Sequence, residues 1–147
     1  YAAYFTTKVS EFDAETIMGG TRQVLEKMDA LLAKGKNATK KEEDEVIVLE
    51  VVYEMYARGY EFMQAELGVS KATKFMVKEG KVLLPFVALT GVGENAAKAI
   101  AEEYEKRPFE TIEEIRNRAK ANKTAIEALR IHGVLKGIPE SDQLCLF

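Results

Sequence analysis

The chain has 147 residues, 47% of them hydrophobic, enough for one packed core or two small ones and too many for a disordered chain. Its 21 basic and 24 acidic residues leave a net charge of −3, which argues against a polybasic nucleic-acid binder but leaves room for a local basic patch. One Cys excludes an internal disulfide and a Cys-based zinc site, and one His makes a His-dependent triad hard to assemble. No apolar run is long enough to span a bilayer and no signal peptide is visible, so the cytoplasm is the expected compartment.

The chain opens Tyr1-Ala-Ala-Tyr-Phe5, an aromatic start of the kind left by a cut through a buried element, and is expected to be a piece of something larger. Asp13 can N-cap a short helix ending at Gly19-Gly20. Val24, Leu25, Met28, Leu31 and Leu32 recur at helical spacing, which predicts a helix from about Thr21 to Lys34, stopped by Gly35. A polar loop follows. Thr39 and Glu42 then fit a capping box that opens a long helix to about Arg58. Val46-Ile47-Val48 would suit a strand, but Glu50, Glu54 and Arg58 recur every fourth residue and mark one wet stripe on an otherwise buried helix. Beyond Tyr60, Phe75, Val77 and Val82-Leu83-Leu84 suggest short strands around a Glu79-Gly80 turn. A boundary is placed near Lys81. There are 12 basic and 14 acidic residues up to it and 9 and 10 beyond, so any nucleic-acid contact must be local.

Two motifs follow. In Leu89-Thr90-Gly91-Val92-Gly93 a tight Gly-x-Gly turn leads into a helix with small residues on one face. Gly tolerates backbone angles that other residues resist and lets a ligand approach the main chain. The N–H groups of such a turn, at the positive end of a helix, form a nest for a phosphate oxygen, and Lys98 lies one turn in. This is the pattern of a helix-hairpin-helix motif, which grips a duplex backbone without reading sequence; a plain Gly turn between helices is the alternative. A dinucleotide fold does not fit, because the third Gly is missing. Thr111 to Glu114 forms another capping box, and Asn122 can cap a last helix from Lys123 to Ile131, stopped by Gly133. Arg116, Arg118, Lys120 and Lys123 crowd the connection with no acid between them. The pair resembles a second, degenerate hairpin lacking both glycines; a solvated charged face is the alternative. With three or four phosphates engaged, the slope of log K against log salt would be about −3 to −4.

The second motif is Gln143-Leu-Cys-Leu-Phe147, after a polar stretch that begins at Pro139. Exposed Leu144, Leu146 and Phe147 need a cover, and such a peptide can plug a partner's apolar pocket while Gln143 supplies oriented hydrogen bonds. Folding back on its own domain is the alternative. No Asp-x-Asp pair offers the carboxylates for two-metal phosphoryl transfer, so no catalytic and no metal-binding residue is assigned. His132 reads as a helix-end residue favoured by the dipole rather than a general base.

Gln143 to Phe147 resembles the bacterial sliding-clamp-binding motif. Together with Leu83 to Ile100, and with Tyr4-Phe5-Thr6, Arg58-Gly59-Tyr60, Ser70 to Thr73, Phe75 and Lys123-Thr124 in the same order, it resembles the C-terminal end of PolC-type replicative DNA polymerase III over essentially the whole chain. Leu84-Pro85 departs from the two prolines common before the hairpin, Cys145 from the usual small polar or acidic residue, and Ala119 from a common Gly.

The resemblance implies a mostly α fold. Residues 1–82 would be a helical end of the polymerase fingers with a short β element, 83–138 a helix-hairpin-helix duplex-binding domain, and 139–147 a clamp-binding tail. It implies primer–template duplex, the clamp (the beta subunit) and the rest of the polymerase chain as partners, with no membrane. The expected DNA-contacting residues are Thr90, Gly91, Val92, Gly93, Asn95 and Lys98 in the first hairpin and Arg118, Lys120, Asn122, Lys123 and Thr124 in the second. The expected clamp contacts are Gln143, Leu144, Cys145, Leu146 and Phe147. No cofactor is expected in the chain itself. The resemblance implies magnesium for the parent polymerase, on carboxylates far upstream, and a monovalent cation on hairpin carbonyls. A helix-hairpin-helix module of a repair enzyme and a clamp-interaction adaptor are the rival readings.

Overall fold

The computed structural model describes residues 1–141. Helix α1 (Ala2–Thr7) carries Phe5 into full burial within this chain. There it meets Phe12, Phe62 and Phe75 at ring-centroid distances of 5.6, 5.2 and 5.8 Å, and Phe12 and Phe75 lie 4.9 Å apart. Edge-on packing of this kind adds to the area each ring removes from water. Of the opening aromatics, Phe5 is thus a core residue, while Tyr1 is exposed.

Asp13 caps α2 (Ala14–Met18) by accepting from the Thr16 N–H and hydroxyl. Gly20, at φ +97°, turns the chain into α3 (Thr21–Leu32). A 3-10 turn at Gly35–Asn37 replaces the expected plain loop. Thr39 and Glu42 exchange both bonds of the capping box at 3.1 and 3.0 Å and start α4 (Lys40–Ala57), which packs along α3. Lys34 pairs with Glu42, and this contact with the Thr39 N–H holds the carboxyl below its ordinary pKa. Val46, Leu49, Val52 and Met55 form the buried face of α4. The exposed face is wider than the single stripe expected, since Ile47 and Tyr53 join Glu50, Glu54 and Arg58 in solvent.

Strands β2 (Met76–Lys78) and β3 (Lys81–Leu83) form the expected hairpin; both turn residues, Glu79 and Gly80, have positive φ. The unexpected β1 (Phe62–Met63) pairs parallel with β3, which is central in the order β1-β3-β2.

From β3 the chain passes through Pro85 and a 3-10 turn at Phe86–Ala88 into the first Gly hairpin. Helices α5 (Glu94–Lys106), α6 (Ile112–Arg118) and α7 (Lys123–Ile131) follow. Thr111 caps α6, but the Glu114 carboxylate reaches back to the Glu110 N–H rather than completing the box. The chain then returns to the start of α6, where Ile112 and Glu113 donate to the carbonyls of Pro139 and Glu140 at 2.9 and 3.0 Å. Position 82 lies inside β3, and buried side chains from Phe5 to Leu135 belong to one continuous core. Among the described residues no helix is long and apolar enough to cross a membrane.

Candidate nucleic-acid interface

Leu89 and Val92 anchor the first hairpin from below. Both are buried, and the Val92 N–H donates to the Leu89 carbonyl at 3.0 Å. Val92 is therefore a core residue and not the surface contact expected. Gly91 sits at φ +104°, and a Cβ there would lie 3.2 Å from the Thr124 methyl and 3.3 Å from the Ala128 Cβ. Only glycine meets both demands, and it lets the turn lie against α7. Gly93 differs: its backbone is extended, at φ −73° and ψ 168°, and a Cβ would meet nothing within 4 Å. The conformational freedom suggested by the Gly-x-Gly turn is thus needed at Gly91 and not at Gly93.

Gly93 is also the N-cap of α5 and has no side chain to cap with. The N–H groups of Glu94, Asn95 and Ala96 find no acceptor among the described residues. They concentrate partial positive charge where the helix dipole adds to it. Four of the other helices, α2, α4, α6 and α7, receive a side-chain cap from Asp13, Thr39, Thr111 and Asn122.

The second hairpin repeats the first without glycine. Lys120 takes the left-handed position at φ +56°, matching Gly91; buried Ala121 matches Val92; and Asn122 is the extended N-cap, matching Gly93. The glycine-like position is thus Lys120, and Ala119 is buried in ordinary helical geometry. Asn122 accepts from the Ala125 N–H at 2.8 Å, so this hairpin satisfies one of its own main-chain donors.

Both turns open onto one cleft of about 600 Å³. Gly93, Asn95 and Ala99 line one wall, and Lys120, Asn122 and Ala125 the other. The small residues of α5 noted in the sequence form part of this lining; Ala125 was missed, because only the tertiary fold sets it opposite α5.

The remaining expected contacts separate from the cleft. Thr90 does not line the cleft and instead borders a smaller cavity whose walls include Glu11, Asp13, Lys41 and Glu45. Lys98 pairs with Glu94 at 3.3 Å and does not line the cleft. Thr124 sets its methyl group under Gly91. Arg118 is largely buried. Its guanidinium donates to the carbonyls of Glu103 and Arg107, pairs with Glu114 at 3.3 Å and Glu103 at 3.7 Å, and lies 4.6 Å from the Phe109 ring centroid. It ties the end of α5 to α6 and is not available to a ligand. Arg116 pairs with Glu140 at 3.7 Å. Of the basic cluster, Lys120 and Lys123 have no carboxylate partner among the described residues.

His132 stands at the end of α7, where the Gln64 amide donates to Nδ1 at 3.2 Å. Burial lowers its pKa, against the opposing pull of Glu15 and Asp13. Among the described residues no three His, Cys, Asp or Glu gather as a metal-binding group. The tail motif Gln143 to Phe147 lies outside the described residues.

A family model described as a helix-hairpin-helix motif matches residues 59–143, more than half of the chain, which therefore belongs to the helix-hairpin-helix family. The closer kinship runs along all 147 residues: the chain is 45% identical to the DNA polymerase III PolC-type of Caldanaerobacter subterraneus subsp. tengcongensis, 44% to that of Clostridium perfringens and 38% to that of Bacillus subtilis. In each case it spans all of this chain and 10% of the relative.

Proposed function

We propose that this chain is a non-catalytic part of a replicative DNA polymerase, which holds primer–template duplex by its phosphate backbone and ties the enzyme to a sliding clamp. The observation that carries the duplex reading is the pairing of two hairpins on one cleft, one with uncapped N–H groups and the other with the unpaired Lys120 on its wall. Two such turns suit the two strands of a duplex. Phosphate contacts carry no base information, so unrelated sequences should bind equally. With Lys98 paired and Arg118 internal, Lys120 on the cleft wall and Lys123 at the start of α7 remain, for a salt slope of about −2. Thr90, Gly91 and Val92 keep carbonyls that accept no hydrogen bond among the described residues, a set that fits a monovalent cation. Magnesium chemistry would belong to carboxylates elsewhere in the parent polymerase.

Clamp docking rests on the resemblance of Gln143 to Phe147 to a clamp-binding peptide. Leu146 and Phe147 would enter an apolar pocket, Leu144 would pack beside them, Gln143 would set the register and Cys145 would face away. The test is separate titration of the chain against two unrelated duplexes and against purified sliding clamp. Equal affinity for both duplexes and independent clamp binding support the reading. Strong preference for one sequence, or no binding to any duplex, overturns the duplex part, and absence of clamp binding overturns the tether.

A further inference from the structure

Helices α5 and α6 expose no large hydrophobic side chain, and α7 exposes one, Ile131. Five of the ten large hydrophobics exposed among the described residues lie instead along the outer face of α4. Ile47 and Tyr53 stand on the helix itself. Leu32 lies at its start and shares with Glu43 the lining of a cavity of about 190 Å³. Tyr1 lies at its end, where its hydroxyl donates to Glu54 at 3.4 Å and its ring centroid is 6.0 Å from that of Tyr60. Over the 18 residues of α4 this strip is about 27 Å long. Single exposed apolar residues are ordinary, but a row of them with polar residues between marks an interaction surface.

The charge of the strip narrows what can cover it. Glu43, Glu50 and Glu54 recur along it. Glu54 pairs with Arg58 at 3.1 Å, while Glu43 and Glu50 form no ion pair among the described residues. A row of carboxylates repels a phosphate backbone, and a second copy would set carboxylate against carboxylate. It favours a segment that carries Lys or Arg beside its own apolar side chains. This chain amounts to 10% of the polymerases it matches, which leaves a far longer polypeptide to supply one. Tyr1, where preceding polymerase chain would join, is itself part of the strip.

Resting on the reading of this chain as part of a polymerase, we infer that the outer face of α4 seats the polymerase chain preceding Tyr1, through a basic amphipathic segment. The apolar side chains of that segment cover Ile47, Tyr53 and Tyr60. Its cations pair with Glu43 and Glu50, in a contact that excludes water and so strengthens the attraction.

The test is hydroxyl-radical footprinting, read by mass spectrometry, of this chain alone and of the full-length polymerase that carries it. Ile47, Tyr53 and Tyr60 should react in the isolated chain and lose most of that reactivity in the polymerase. Ile47→Lys combined with Glu50→Lys reverses the character of the strip at two exposed, unpaired positions. It should leave the melting temperature of the isolated chain unchanged and restore the reactivity of Tyr53 and Tyr60 in the polymerase. Equal reactivity of the wild-type residues in both proteins overturns the inference. So does sedimentation of the isolated chain as a dimer in which they are protected, which would make the occupant a second copy. Duplex and clamp titrations are read separately: their failure, with α4 protected in the polymerase, overturns the roles proposed for cleft and tail and leaves this docking standing.

Discussion

A methyl group added at Gly91 would suffer twice, from a φ of +104° and from the Thr124 and Ala128 side chains on α7. Gly91→Ala should lose about 2–4 kcal/mol. At Gly93 neither cost applies, and Gly93→Ala should stay within about 0.5 kcal/mol, because a weaker N-cap opposes a less flexible unfolded chain. Urea denaturation of the two variants checks the contrast. His132 supplies the pH dependence at this scale. Its folded-state pKa lies below the unfolded value, so the unfolded chain takes the proton first. Stability is complete above the ordinary histidine value of about 6.5 and falls as the pH drops from there toward the folded pKa. His132→Gln should remove that decline, read as the shift of the urea midpoint between neutral and mildly acidic pH. Glu42, Glu103 and Glu114, whose pKa values are also lowered, titrate in a lower window, so the two effects separate.

At the scale of elements, the angle between the hairpins depends on how α5 and α6 are joined. Arg118 makes that join by closing the end of α5 with bonds to Glu103 and Arg107 while staying fixed to Glu114 on its own helix. Arg118→Met keeps much of the apolar stem and removes every donor, leaving two carbonyls and a carboxylate without their partner. The expected loss is about 2 kcal/mol, a drop of roughly 4–8 °C in melting temperature. A residue that acts only inside the fold leaves the salt slope of duplex binding unchanged. A flattened slope would make Arg118 a phosphate contact after all.

At the scale of the molecule, the position of the tail's root matters. Pro139 and Glu140 are bonded to the first turn of α6, and Glu140 also pairs with Arg130 at 2.9 Å. The second hairpin begins at the other end of α6, about 10 Å away. The last described residues before the tail are thus fixed at the end of α6 remote from the second hairpin. A five-residue anchor alone should bind with an affinity on the order of micromolar, and tethering to a duplex-bound chain should multiply its effect. Deleting Leu146 and Phe147 should abolish clamp binding and leave duplex affinity and melting temperature unchanged. A fall in melting temperature would instead make the tail part of the core.

The features legible in the sequence are those whose cause lies within a few residues. Asp13, Thr39 and Asn122 cap the helices they precede, because each bond closes three residues on. The Glu79-Gly80 turn and the Gly91 hairpin were readable for the same reason: positive φ is a local demand with a local remedy. Strand β1 was not readable, because two residues have no reason to be extended until β3 arrives beside them. Nor was the fate of the basic cluster. Its four cations look alike along the chain, but folding brings Glu103 and Glu140 to two of them and leaves Lys120 and Lys123 to solvent. The left-handed turn at Lys120 carries no glycine to announce it. Composition and spacing thus determined α2 to α7 and where they start, whereas α1 carries no such signal. Which charges remain available to a ligand was decided only when distant segments met, because neutralisation and desolvation depend on neighbours in space.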